Sequence, residues 1–310
     1  MILVAGSANL DFVVRADHIP QPGETVLGDA FQTFAGGKGA NQAVACARAG
    51  NAETHFLAAM GNDAYAQPIE QSLTDAGVRL QVVRSSTHPT GCAFICVAAT
   101  GENAITVAPG ANTELTIDHL PSLAGTSHLL LQLETPMRTV LDYARAARQQ
   151  GVTVVLNAAP AQELPTELLA QVDILVVNEV ELATVAQHAG SIYECLQRIR
   201  VPTVVVTLGD KGYCWRHHDA MAVHSAFVVD AIDTTAAGDT FCGTLVAKLS
   251  EGIPLEQALQ TASAAAALAC TTMGAQSSIP HAEQVASFLT QYGTHTHPSP
   301  TALLHFCGIT

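Results

Sequence analysis

The sequence predicts an α/β fold: a mostly parallel central sheet with helices on both faces, plus a small β-sheet lid. Three observations lead there. Short β-branched runs alternate with longer helical patterns, the arrangement that builds parallel sheets covered on both sides. Nearly every strand candidate ends in a glycine or polar motif. Two extended stretches, 11–35 and 91–108, break the alternation with Gly and Pro punctuation and no helical period.

The strand candidates are 2–6, 54–59, 79–84, 127–131, 152–156, 173–177 and 203–207. A further strand-like run covers Ala226-Phe227-Val228-Val229. Helical patterns lie near 39–49, 64–76, 136–150, 179–188, 238–250, 255–272 and 281–290. Within the two extended stretches, segments 12–15, 25–27, 30–34, 92–97 and 104–107 read as antiparallel strands of a sheet projecting from the core. Such a sheet would close over the carboxyl ends of the main strands, where open α/β sheets bind ligands. Residues 1–293 are expected to form one unit. From Thr294 onward the chain is polar and Pro-rich and matches no element strongly, so 294–310 reads as a tail docked through Leu303, Leu304 and Phe306.

Composition excludes several functions. The 310 residues carry a net charge of −14, which argues against nucleic acid or an anionic membrane as partner. Hydrophobic content is 48%, yet no apolar run approaches the ~20 residues of a membrane span. The N-terminus runs straight from Met1-Ile2-Leu3-Val4 to Asn9 and Asp11, a first strand rather than a signal peptide. Eight scattered cysteines without a Cys-x-x-Cys pair suit a reduced, cytoplasmic protein. The thirteen histidines form no metal-ligand spacing.

The strongest motif is Asp233-Thr234-Thr235-Ala236-Ala237-Gly238-Asp239, between a strand-like and a helix-like run. Small residues opening a helix leave N–H groups for an anion, and Asp239 adds a proton acceptor beside them, as phosphoryl transfer to a hydroxyl requires. A capped helix start is the structural alternative. Gly36-Gly37-Lys38-Gly39-Ala40-Asn41 opens another helix and would bring Lys38 and Asn41 to a ligand; it has neither Walker A nor dinucleotide-fingerprint spacing. Asn9 and Asp11 suit sugar hydroxyls or turn chemistry. Glu134 ends a buried strand. Asn178 and Glu181 share a helix start, where they hold a hydrated Mg²⁺ or cap the helix. Thr207-Leu208-Gly209-Asp210-Lys211-Gly212 is a strand-end turn able to approach a nucleotide, or a plain hairpin.

The two glycine-containing motifs, in this order and at this separation, resemble the signatures of the ribokinase-like carbohydrate kinase family, and the likeness covers nearly all of 1–293. The resemblance implies ATP-dependent phosphorylation of the 5-hydroxyl of D-ribose, with 2-deoxyribose, another sugar or a nucleoside as alternative acceptors and a non-catalytic sugar sensor as a distant one. It implies a sugar site of Asn9, Asp11, Gly37, Lys38, Gly39, Ala40, Asn41 and Glu134. It implies a nucleotide site of Asn178, the 207–212 turn and Ser263, which stands where the family often has His. Asp239 matches the base, and Ala236, Ala237 and Gly238 the anion hole. Asp233, Thr235, Ala269, Thr272, Gly274 and Ser278 match a monovalent-cation site, K⁺, and the family also implies Mg²⁺ and a homodimer.

Overall fold

The computed structural model describes residues 1–100, 102–292, 296–297 and 300–309. The chain runs β1 (Ile2–Ala5), β2 (Asn9–Ala16), β3 (Gly28–Gly36), α1 (Lys38–Arg48), β4 (Thr54–Gly61), α2 (Ala66–Asp75), β5 (Arg79–Ser85), β6 (Gly91–Ala98) and β7 (Asn103–Ala108). After two 3₁₀ turns come β8 (His128–Leu131), α3 (Met137–Gln149), β9 (Thr153–Asn157), α4 (Thr166–Leu169), β10 (Ile174–Asn178), α5 (Glu179–Ala186), α6 (Ile192–Arg198) and β11 (Thr203–Thr207). The remainder is β12 (Gly212–His217), β13 (Ala220–Phe227), α7 (Ala237–Ser250), α8 (Leu255–Ala269), α9 (Ala282–Tyr292), β14 (Thr296–His297) and α10 (Pro300–Cys307).

Two sheets result. The large one has the order β14-β13-β12-β11-β10-β9-β8-β1-β4-β5. It is parallel from β11 to β5 and antiparallel from β11 to β14. Its central strands are apolar on both faces, as a doubly covered sheet demands. Ile2, Val4, Leu130, Val155, Val176 and Val205 face one core with α1, α2, α7, α8 and α9. Their neighbours Leu3, Ala5, Leu129, Val154, Leu175 and Val204 face the other, with α3 to α6 and α10. Between α1 and α7 the chains approach closely. A Cβ on Gly243 would lie 2.4 Å from the Gln42 carbonyl, so only glycine there lets α7 seat against α1.

The small sheet has the order β3-β2-β6-β7. Its strands were expected to be antiparallel throughout, but β2 and β6 pair in parallel. The connection from β2 to β6 passes through β3, α1, β4, α2 and β5, and returns the chain in the same direction. No strand forms at 25–27, where Pro20, Pro22 and Gly23 hold a loop before β3 starts at Gly28. The expected strand at 226–229 ends at Phe227 and is the last part of a longer hairpin, β12–β13. Stretch 294–300, read as a polar tail, lies mostly outside the described residues. Beyond it, α10 docks where no element was expected: Leu303 and Cys307 are fully buried, whereas Phe306 is 43% exposed.

Candidate active site

The carboxyl ends of β1, β8, β9, β10 and β11 share one edge of the large sheet, and α1 and α7 begin above it. Asp239 sits in the first turn of α7 and is buried. Both its oxygens are held from α1: Asn41 Nδ2 donates to Oδ2 at 3.0 Å and Gln42 Nε2 to Oδ1 at 2.9 Å. The Oδ1 of Asn41 is buried without a partner among the described residues. Lys38, first residue of α1, is held above its ordinary range by the Asp239 charge, against the opposing effect of burial and with help from Glu134 and Glu181.

The 36–41 turn packs directly on the loop after β1. Gly37 has φ 88°, and a Cβ there would lie 2.7 Å from the Asn9 nitrogen. The Ala40 N–H donates to the Ser7 carbonyl and Gly39 N–H to the Ser7 hydroxyl. Glu134 accepts from the Ser7 hydroxyl and the Lys38 N–H. Asp11, in β2, is pushed up to about 7 by burial, then by the charges of Glu134 and Asp239. Thus Glu134, Glu181 and Asp239 surround the single Lys38 ammonium, Asp11 adjoins Glu134 and Asp239, and Asn41 is hydrogen-bonded to Asp239. Asn9 lies beside them, its Oδ1 taking a hydrogen bond from Asn112 at 2.7 Å. Asn112, which also holds the Ala8 N–H, was not anticipated; it sits in a 3₁₀ turn over a hundred residues from Asn9, with no local motif to mark it.

Two cavities border the 233–239 segment. One, of about 290 Å³, lies between the small sheet and the core. Asp11, Val13, Arg15, Gln32 and Phe34 line it from the sheet, and residues 231–235 with 273–275 from below. The other, of about 450 Å³, has an apolar lining of Tyr213, Phe227, Val228, Phe241, Ala266 and Ala267, with Thr207, Gly209, Gly212, Gly238 and Ser263 at its margin. The cavities meet at Ala231 and Thr234, so the signature segment stands at their junction. Not all of the 207–212 turn faces the second cavity. Leu208 is buried in the opposite core, and the Lys211 ammonium stacks over the Phe306 ring at 5.0 Å.

Ala236 caps α7 in the left-handed region, φ 59°, strain of ~1 kcal/mol for a residue with a Cβ. That cap turns the helix N-terminus toward the junction. The Ala237 N–H donates to the Thr234 carbonyl at 3.2 Å, while those of Gly238 and Asp239 have no acceptor among the described residues. Asn178 and Glu181 form a reciprocal cap of α5, each donating a backbone N–H to the other's side chain at 2.8 Å. Burial raises Glu181 above its ordinary range, and the Lys38 and Asp239 charges both reach it, so it faces the same centre. Asp233 ties two loops together. Its carboxylate accepts from Thr235 and from the Gly274 N–H at 2.9 Å, and these bonds outweigh burial and hold it below the usual range. The Cys270 carbonyl takes the Ile232 and Asp233 N–H groups, and Thr272 N–H donates to the Ala269 carbonyl. Ser278, buried, donates to the Ala275 carbonyl.

The small sheet over the strand ends, the buried Asp239 carboxylate at the start of α7 and the two adjoining cavities form the candidate active site. The chain belongs to the pfkB family of carbohydrate kinases, whose family model matches residues 1–282. It is 39% identical over 300 residues to the ribokinase of Haemophilus influenzae, covering 93% of this chain and 98% of that one. Among solved structures, the ribokinase of Thermotoga maritima superposes with a TM-score of 0.86 at 38% identity, covering 93% of this chain and 99% of that one. The Arabidopsis thaliana ribokinase complexed with ribose and ATP superposes at 0.84 and 32%, covering 93% and 98%.

Proposed function

We propose that the chain transfers the terminal phosphoryl group of ATP to the 5-hydroxyl of D-ribose, giving D-ribose 5-phosphate and ADP. The observation that carries this reading is Asp239, a buried carboxylate with both oxygens clamped, in the segment whose Thr234 lines both the lid-covered cavity and the apolar one. The named activity of the relatives, and the ribose and ATP in the Arabidopsis structure, support it.

The sugar sits at the Asp11 end of the lid-covered cavity, and Asn9, Lys38, Asn41 and Glu134 supply further donors and acceptors for its hydroxyls. The adenine occupies the apolar one, between the 207–212 turn and α8. Asp239 takes the proton of the attacking hydroxyl. The open N–H groups of Gly238 and Asp239, with the α7 dipole, stabilise the charge on the transferring group. Lys38 balances Asp239 and the incoming phosphate. Lid closure over the polar cavity excludes water and so suppresses hydrolysis.

Two ions fit the donor sets. Glu181, a lone carboxylate facing the centre, suits a Mg²⁺ that keeps most of its waters and arrives with the nucleotide. Asp233, Thr235, Ser278 and the carbonyls of 269–274 are hard oxygen donors suited to a monovalent cation such as K⁺, which adds positive charge beneath the α7 N-terminus when bound. A homodimer is supported by the outer face of the small sheet. There Phe94 and Phe31 stack on Phe12 yet are 54% and 62% exposed, and the nearby Leu27 is 88% exposed. Eight free cysteines support a cytoplasmic location.

Replacing Asp239 by Asn keeps the size and the Asn41 and Gln42 neighbours but removes the base. The expected result is an intact fold by circular dichroism and a loss of ~10²- to 10⁴-fold in ribose-dependent ADP release. Turnover within a few-fold of the parent enzyme sinks the assignment.

A further inference from the structure

Asp239 is held by more than the two residues that touch it. Gln42 is fully buried and both its side-chain polar atoms are hydrogen-bonded. Its Nε2 donates to Asp239 Oδ1 at 2.9 Å and to Asn157 Oδ1 at 3.0 Å, and its Oε1 accepts from Gln132 Nε2 at 2.6 Å. The orientation of this amide is fixed from both sides. Asp239 is an acceptor only, so the atom facing it must be the nitrogen. Asn157 donates its own Nδ2 to the Val176 carbonyl at 3.1 Å, so it too presents an oxygen to Gln42. A half-turn of the amide would set oxygen against two acceptors.

The anchors come from the sheet. Gln132 follows β8 and Asn157 ends β9, and both are buried. The Oε1 of Gln132 is left without a partner among the described residues, a destabilising arrangement for a buried acceptor. A Cβ on Gly6 would lie 2.0 Å from that oxygen, so a glycine at the end of β1 makes room for Gln132. An arrangement that keeps an orphaned buried oxygen in order to aim one N–H has a specific use.

We propose that Gln42 is a positioning residue for the phosphoryl-transfer step: it pins Oδ1 of Asp239 to the strand ends, so that Oδ2 is presented to the acceptor hydroxyl. The two halves of the clamp have different tasks. Asn41 retains an unused acceptor and is free to share its bond with sugar. Gln42 has no unbonded polar atom and stays fixed. Lys38 of α1, Asp11 of β2, Glu181 of α5 and Cys242 of α7 also face Asp239, and all four are unchanged in a Gln42 variant. A fall in kcat is therefore assignable to the lost N–H donor.

This inference rests on Asp239 as the base, and the test separates the two. Gln42→Met has similar length and cannot donate. At saturating ribose and ATP, kcat is expected to fall ~10- to 100-fold, the loss expected of a misplaced reacting group, with both KM values within about threefold. Gln132→Met, which leaves Gln42 free to turn, should give a smaller fall in kcat with both KM values again nearly unchanged, and the double variant should fall no further than Gln42→Met. A Gln42→Met enzyme with parental kcat overturns the proposal, whatever its stability, and so does a loss carried by KM rather than kcat. If that variant does not fold, Gln132→Met decides by the same measurements. A parent enzyme without ribose-dependent turnover, or an active Asp239→Asn, overturns the underlying reading instead.

Discussion

Asp11 shows how a single residue trades stability for recognition. Its carboxyl is pushed up to about 7 by burial and by Glu134 and Asp239, from an ordinary value of 3.8. The folded chain therefore holds this proton more tightly than the unfolded chain. Between these two values stability falls as pH rises, by up to ~4 kcal/mol from this group alone. Asp11→Asn is expected to flatten that slope in urea titrations at pH 5 and pH 8 and to gain stability at pH 8, while raising the KM for ribose. An unchanged slope would contradict the burial argument. Gly238 makes the opposite point. A Cβ there meets nothing within 4 Å, and the residue lines the apolar cavity. Gly238→Ala should stabilise α7 by ~0.5–1 kcal/mol yet put a methyl where phosphate must pass. Thermal denaturation should show a higher Tm and the kinetic assay a lower kcat/KM for ATP; a variant as active as the parent would exclude phosphate from that position.

At the scale of elements, legibility followed locality. The parallel strands were readable because burial on both faces leaves unbroken runs such as Val204-Val205-Val206. The 36–41 and 233–239 segments were readable as helix openings because each is a run of consecutive small residues. Asn112, Gln132 and Asn157 were not, since each is a single polar residue whose meaning comes from partners 90 or more residues away. Gln132 did carry one signal, an amide closing an otherwise apolar strand. The β12–β13 hairpin was missed because its alternating pattern is interrupted by histidines, and α6 because it is short and marked mainly by the Ser191–Glu194 capping box. The parallel β2–β6 pairing is a matter of topology that no local pattern encodes. The small sheet also makes its own prediction. β2 sends Asp11, Val13 and Arg15 into the cavity and Phe12 and Val14 outward, so the outer face is free to bury its aromatics against a second copy. Phe31→Glu is expected to convert a dimer into a monomer in sedimentation velocity; a parent protein that sediments as a monomer removes the basis for the pairing.

The whole molecule works as two cores and a roof. The central parallel strands are buried from both sides, and the close α1–α7 packing sets Asn41 and Gln42 against Asp239. The inner face of the small sheet roofs the smaller cavity. The central claim is that this geometry directs one proton acceptor to one hydroxyl. The direct measurement is the regiochemistry of the product. Uniformly ¹³C-labelled D-ribose is incubated with ATP, Mg²⁺ and the enzyme, and phosphorus coupling to each carbon is read by NMR. The account predicts stoichiometric ADP and a phosphorus coupling confined to C5 and its neighbour C4. ADP formed without a phosphorylated sugar, or phosphate on C1, C2 or C3, would contradict it.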